Sequence, residues 1–392
     1  MREIVFTAAV RTPMAKNGAQ LTDVSAMELG KEAIRECVRR SRIDPAEYGE
    51  VIFSCITAMQ MKNPARVCML AAGMPYTVPA FSVDRGCGSS LTGMGIAAAM
   101  ILAGNIDSAI VGGVESCSNK PFLMNRVKNP AVYAPPGWSP QILTPPEYGN
   151  PSNGETSEIV AERFHVTREE CDAFAVESHR KTAEAWKRGA FDEQIVPITV
   201  KRRKREDLII SRDCIYREDC NMESLAKLPG SFRKGGVSTA GNSSPLTDGA
   251  ACVAMMTREK AEKAGAEILG RFVKFVSVGL EPAIMGMGPY YAVKKMLKDT
   301  HMSMEDIDLI EINEAFASQA VACCRLLSQE CGLTMNKVNV NGGAIAIGHP
   351  FGASGAILTA RMLYALKERN LHRGIITFCI GAGLGVAMMV ER

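Results

Sequence analysis

Thirteen cysteines stand against five histidines in 392 residues, and four short stretches set a few residues apart from the rest. In the first, Cys87 follows the apolar Phe81–Val83 and the turn-like Asp84-Arg85-Gly86, and precedes a helical run whose start is rich in Gly and Ser. A helix N-terminus carries about half a positive charge and lowers a thiol from about 8.5 toward neutrality, so Cys87 is a candidate thiolate nucleophile. A buried structural cysteine is the competing reading. In the second, Asn341-Gly342-Gly343 runs through Ala344–Gly348 to His349-Pro350. The proline restricts the backbone before it, and the surrounding glycines suit a loop that approaches a ligand, so His349 is a candidate base. In the third, Phe378-Cys379-Ile380-Gly381-Ala382-Gly383 carries a thiol at a strand end into alternating glycines, as reactive centre or as one more core cysteine. The fourth, Glu311-Ile312-Asn313-Glu314, brings an amide to a strand end, where Asn313 could hold a reacting group or merely cap the next helix.

These residues need a scaffold. Runs rich in Val and Ile at Ile4–Val10, Glu50–Cys55, Ser108–Val114, Leu309–Ile312 and Ile375–Ile380 alternate with helical patterns, which predicts an α/β architecture with buried strands. Laying the first third of the chain over the last reveals a repeat with a spacing of roughly 266 residues. The helical Met27–Arg42 and the strand Val51–Phe53 match Tyr291–Thr300 and Leu309–Glu311. Cys87-Gly88-Ser89-Ser90, opening a helix before Ala109–Gly113, matches Gly352-Ala353-Ser354-Gly355, opening one before Ile375–Ile380. Cys379 then occupies the place of Gly113. The expected organisation is two duplicated halves, 1–118 with about 247–268, and 269–392, separated by an inserted loop domain at 119–246 that covers substrate. Prolines at 121, 130, 135, 136, 140, 145, 146 and 151 mark its first part; Thr167-Arg168-Glu169-Glu170 reads as a capping box opening a helix in its second.

Composition narrows the function classes. With 45 basic and 42 acidic residues the chain has no global field for nucleic acid, and the run Lys201–Arg205 reads as a solvated loop or a local steering patch. No apolar stretch reaches the roughly 18–20 residues of a membrane span. The apolar Ile4-Val5-Phe6 follows too closely on Met1 for a secretion signal, and the cysteines form neither a CxxC pair nor a disulfide framework, so a cytoplasmic location is expected and no metal site. The glycines after Cys379 are not read as a dinucleotide site, since no long helix follows them.

Taken together, Cys87-Gly88-Ser89, Asn313-Glu314-Ala315-Phe316, Gly348-His349-Pro350 and Cys379-Ile380-Gly381 resemble the four active-site signatures of the thiolases, in that family's chain order. The resemblance runs nearly end to end, through Arg11-Thr12-Pro13, Asp172-Ala173-Phe174-Ala175, Thr239–Ser244 and Asp248-Gly249-Ala250. It implies two five-stranded α/β units (αβαβα) with a loop domain, assembled as a homodimer or homotetramer. It also implies transfer of an acyl group between CoA and acetyl-CoA. Cys87 would be deprotonated by His349 and acylated, and Cys379 would move the proton of the acetyl α-carbon. His349 and a water on Asn313 would serve one oxyanion, the backbone N–H groups of Cys87 and Gly381 the other. Arg217, Ser224, Phe232, Ala240, Ser244, Met285 and Phe316 would contact CoA or the acyl group. No resident cofactor is implied, since coenzyme A is substrate and product.

The match departs in one place. Thiolases that join two acetyl-CoA molecules usually carry His-Met-Gly in the covering loop, where this chain has Ser152-Asn153-Gly154, and the stretch with Tyr133, Trp138 and Tyr148 also differs. Cys87-Gly88-Ser89-Ser90 and Gly241-Asn242-Ser243-Ser244 look more like degradative 3-ketoacyl-CoA thiolases. Acyl specificity therefore stays open to bulky, branched or aryl 3-oxoacyl groups, with or without a partner subunit. A ketosynthase-type condensing enzyme is the competing enzyme class, and a non-catalytic thiolase-like lipid-binding protein the competing non-enzyme; Cys379 and the four intact signatures argue against both.

Overall fold

Residues 2–57, 60–125, 137–139, 141–203 and 205–392 are described by a computed structural model. Tyr133, Lys204 and the prolines at 130, 135, 136 and 140 lie outside the described residues.

The chain opens with β1 (Ile4–Arg11), β2 (Ala15–Lys16), α1 (Ala26–Ser41), β3 (Glu50–Ser54), α2 (Pro64–Ala71), β4 (Ala80–Phe81), α3 (Ser89–Leu102) and β5 (Ser108–Ser116). The intervening segment contributes α4 (Asn153–Arg163), α5 (Arg168–Lys187), β6 (Ile198–Val200), β7 (Leu208–Ile210) and α6 (Met222–Ala226). It is thus more helical than a covering loop: Ser152 caps α4 by accepting from Glu155 N, so Asn153 and Gly154 are its first turn. The expected capping box of Thr167 and Glu170 opens α5. The chain then returns through β8 (Thr247–Thr257) and α7 (Arg258–Lys263) to β9 (Gly270–Gly279), α8 (Gly288–Thr300), β10 (Leu309–Ile312), α9 (Ala317–Cys331), α10 (Ala344–Ile347), α11 (Ser354–Arg369), β11 (Arg373–Ile380) and β12 (Leu384–Glu391).

The strands lie in the order β10-β11-β12-β9-β1-β8-β5-β3-β4, with β2 on β8. Duplication is visible in this order. From the outside inward, β4, β3 and β5 are parallel, then β8 and β1 alternate antiparallel. On the other side, Val338 bridges β10 in parallel, β10 pairs β11 in parallel, and β12 and β9 alternate antiparallel. The fifth strand of the second half is thus reduced to one bridge. The halves join where Val5 and Phe6 of β1 pair with Arg271 and Gly270 of β9.

Three apolar cores give the layering. One fills the space around α3 and α11, which lie between the inner faces of the two half-sheets. α3 is apolar nearly all round, as a helix sandwiched between sheets must be. The second core lies under α1 and α2, and the third under α8 and α9 with α4 and α5 beside them. Cys87 and His349 each precede one of the two central helices, and β11 ends beside them.

Candidate active site

Cys87 sits in a turn fixed by its neighbours. Asp84 Oδ1 accepts from Gly86 N at 2.9 Å, and Ser89 Oγ accepts from Arg85 N at 2.8 Å and donates to Gly86 O at 2.6 Å. Gly86 is left-handed at φ 49°, and a Cβ on Gly88 would collide with Ile380. The two glycines let the turn lie directly on the residue after Cys379. The turn is half-buried at Cys87, whereas Cys379 is 2% exposed and packs with Met285, Ala315 and Phe316.

Burial reverses one sequence expectation. The position before α3 suggests a lowered thiol, yet desolvation pushes Cys87 up to about 12, with the Glu115 carboxylate adding to it. Cys379 is also pushed well up, by burial first and by the neighbouring Cys87 sulfur next. Loss of water is the leading cause of the rise. Both thiols are protonated at neutral pH, so Cys87 needs a base to become a nucleophile.

His349 is the candidate for that base. It is 2% exposed, and burial lowers it to about 3, so the imidazole is neutral. Ser354 Oγ donates its single proton to Pro350 O at 2.9 Å and lies 2.7 Å from His349 Nδ1, so it must accept from Nδ1–H. That tautomer leaves the Nε2 lone pair to accept from Asn313 Nδ2 at 3.3 Å. Phe378, the neighbour of Cys379, stacks near the ring at 6.4 Å between centroids, and Phe351 meets it edge-on at 5.1 Å. Ser354 escaped the sequence reading, which took it only as the start of a helix; its signal is a hydroxyl five residues after a histidine across a proline.

Asn313 is no helix cap, because α9 is capped at Phe316 without a side-chain bond. Its backbone N donates to Thr377 O at 3.0 Å, which aligns it with β11. The adjoining Glu314 carboxylate is buried on Ser178 Oγ at 2.7 Å, Asn339 Nδ2 at 2.7 Å and Ile345 N at 3.1 Å. It ties α5 to the loop that leads to His349.

Of the other expected residues, Met285 and Phe316 join Cys379, and Phe232 meets Phe316 edge-on at 5.7 Å. Ser244 donates from N and Oγ to Ala315 O, both at 3.0 Å. Ala240 is exposed on the adjoining loop. Two are engaged elsewhere. Arg217 donates from its backbone to His179 Nδ1 at 3.1 Å, and Ser224 donates from Oγ to Asn221 O in the cap of α6. Gly381 follows β11, and a Cβ there would come within 3.1 Å of Asn153 Oδ1. The basic run is exposed at Lys201, Arg202, Arg203 and Arg205, and Lys201 pairs with Asp207.

Among the described residues no helix is long and apolar enough to cross a membrane, and no cluster of His, Cys, Asp or Glu could hold a metal ion. Two family models match the chain: thiolase, N-terminal domain over residues 4–259 and thiolase, C-terminal domain over residues 266–392. The acetyl-CoA acetyltransferase of Syntrophomonas wolfei is 38% identical over 100% of this chain and 99% of its own length. The crystal structure of the Bacillus anthracis acetyl-CoA acetyltransferase superposes with a TM-score of 0.92 at 38% identity, covering 100% of this chain and 99% of the other. Human mitochondrial 3-ketoacyl-CoA thiolase reaches the same TM-score at 31% identity, covering 100% and 98%.

Proposed function

This chain belongs to the thiolase family and is an acyltransferase, and from that premise we propose a mechanism in which Cys87 carries the acyl group. In the cleavage direction His349 Nε2 takes the Cys87 proton as sulfur attacks the 3-oxo carbonyl of the substrate. The bond between C2 and C3 breaks, the acyl group stays on Cys87, and the electron pair left on C2 takes the proton of Cys379 to give acetyl-CoA. A CoA thiol then gives its proton to the Cys379 thiolate and attacks the acyl-Cys87 carbonyl, and the Cys87 sulfur leaves, taking back the proton held by His349, as the shortened acyl-CoA is released. Condensation is the same path reversed. Asn313 with His349, and the backbone N–H groups of Cys87 and Gly381, are proposed to receive the two oxyanions.

The observation that carries this reading is a neutral imidazole whose Nδ1–H is taken by Ser354, so that Nε2 presents its lone pair on the side of Asn313, beside the strand end that carries Cys379. An imidazolium could not accept the Cys87 proton, and an isolated thiol at about 12 would be inert. Met285, Phe316, Phe232 and Ser244 are proposed to line the acyl and pantetheine path, with Ala240, Arg217 and Ser224 farther out toward the nucleotide. Coenzyme A enters as substrate and product, with no resident cofactor. Assembly as a homodimer or homotetramer and a cytoplasmic location belong to the same proposal.

The test supplies a panel of 3-oxoacyl-CoAs with CoA and follows loss of the thioester, with Cys87→Ser and Cys379→Ser alongside. Both variants are expected to fail at turnover, and intact-protein mass spectrometry should find acyl adduct on Cys379→Ser but not on Cys87→Ser. Adduct on Cys87→Ser alone would reverse the two roles.

A further inference from the structure

The first turn of α4 carries a polar group with no assigned task. Asn153 Oδ1 is buried and has no hydrogen-bond partner within the protein. Its amide lies where a side chain on Gly381 would point, with Oδ1 at 3.1 Å and Nδ2 at 3.7 Å from that Cβ position. Gly381 is two residues along the chain from Cys379, so the amide lies against the strand end that carries the second thiol. The next residue, Gly154, is covered by the Phe232 ring, which would clash with any Cβ there. Phe232 in turn meets Phe316, and Phe316 packs with Met285, Ala315 and Cys379. The turn that carries the amide therefore adjoins an apolar cluster that reaches Cys379.

A buried amide oxygen without a partner costs about 1–3 kcal/mol relative to a satisfied one, and apolar side chains of the same size would fill the place without that cost. Such a group is explained when a ligand completes it. We infer that Asn153 is a specificity residue that hydrogen-bonds a neutral polar substituent, a hydroxyl or second carbonyl, on the acyl chain of the 3-oxoacyl-CoA. A primary amide both donates and accepts, so it suits either group. A carboxylate-bearing chain fits less well, because the nearby cation, Arg233, is already paired with Glu155 and Glu162. The inference rests on the thiolase reading above and names the substrate class of the same site.

Two substrates of equal length test it: 3-oxohexanoyl-CoA and 5-hydroxy-3-oxohexanoyl-CoA, each with CoA, on the wild-type chain and on Asn153→Leu. The expected result is a kcat/KM ratio favouring the hydroxylated substrate by about tenfold, one hydrogen bond of about 1.4 kcal/mol, falling to about one in the variant. The variant should also resist denaturant as well as or better than the wild type, since it removes the orphaned oxygen; a structurally required amide would give the opposite. An unchanged ratio between the two proteins, or a wild-type preference for the plain substrate, overturns the inference and leaves the thiolase reading standing. Absence of thiolysis with both substrates overturns that reading and this inference with it.

Discussion

The end of β5 and the end of β11 are the same place in two copies of one unit, yet only one carries a thiol. At the first, Gly113 lies so close to the backbone of Gly352 that any side chain would collide with it. Two residues on, the Glu115 carboxylate fills the space, accepting from Ile56 N at 2.6 Å, Thr57 N at 3.0 Å and Gly352 N at 3.0 Å. At the second, Cys379 stands in place of Gly113, and Gly381 in place of Glu115. The facing turn also changes, from Gly352 to Cys87. The backbone crossing is retained, and three side-chain exchanges turn a sealed junction into a cleft with two thiols. In the sealed half a permanent carboxylate satisfies the backbone donors; in the open half the equivalent space is vacated, and we propose that a transient oxyanion uses it.

The comparison can be broken most severely at Cys379. Cys379→Gly gives the open half the residue of its twin, and thiolysis should fall by about 10³-fold while acetyl-CoA still labels Cys87, as mass spectrometry would show. Labelling lost together with turnover would mean that the second thiol activates the first. Next in size is the reactivity of Cys87 itself. With its thiol pushed up to about 12, inactivation by iodoacetamide should rise roughly 100-fold between about pH 7 and about pH 9 without levelling off. A plateau near neutrality would show that the helix end dominates after all.

Ser354→Ala leaves His349 Nδ1–H without its acceptor and frees the ring to adopt the other tautomer. Loss of roughly tenfold in kcat/KM, with KM little changed, is expected in steady-state assays. An unaltered rate would remove Ser354 from any positioning role. On the sealed side, Gly113→Ala should lower unfolding stability by about 1–3 kcal/mol in urea, because the added methyl meets backbone that cannot move aside. A further effect concerns acid. His349 is held down to about 3 against an ordinary 6.5, so the unfolded chain binds a proton in that window that the folded chain refuses. Stability therefore falls as pH drops from 6.5 toward 3, and His349→Asn should lose less over the same range.

How much of this was legible beforehand differs from residue to residue. β1, β3, β5, β10 and β11 could be read because strands buried on both faces leave continuous Val and Ile runs, and the repeat emerged because both copies keep their helix starts and strand ends. Cys87, His349, Cys379 and Asn313 stood out by the glycines and prolines that shape their turns. The first turn of α4 is not legible in this way, since Ser152-Asn153-Gly154 carries turn-forming residues that serve equally in a loop, as a cap and as a helix start.

By itself, then, the sequence showed the duplication and the alternation of strands with helices, and it singled out the four side chains proposed to carry the chemistry, because periodicity and turn residues are local properties. Tertiary structure alone decided the protonation of those groups. Cys87 precedes a helix, which locally favours thiolate, but the walls that Ile380 and the second half bring against it remove water and raise the thiol instead. The tautomer of His349, set by a Ser354 hydroxyl already committed to Pro350, and the unpartnered amide of Asn153 beside Gly381 likewise exist only once distant segments meet.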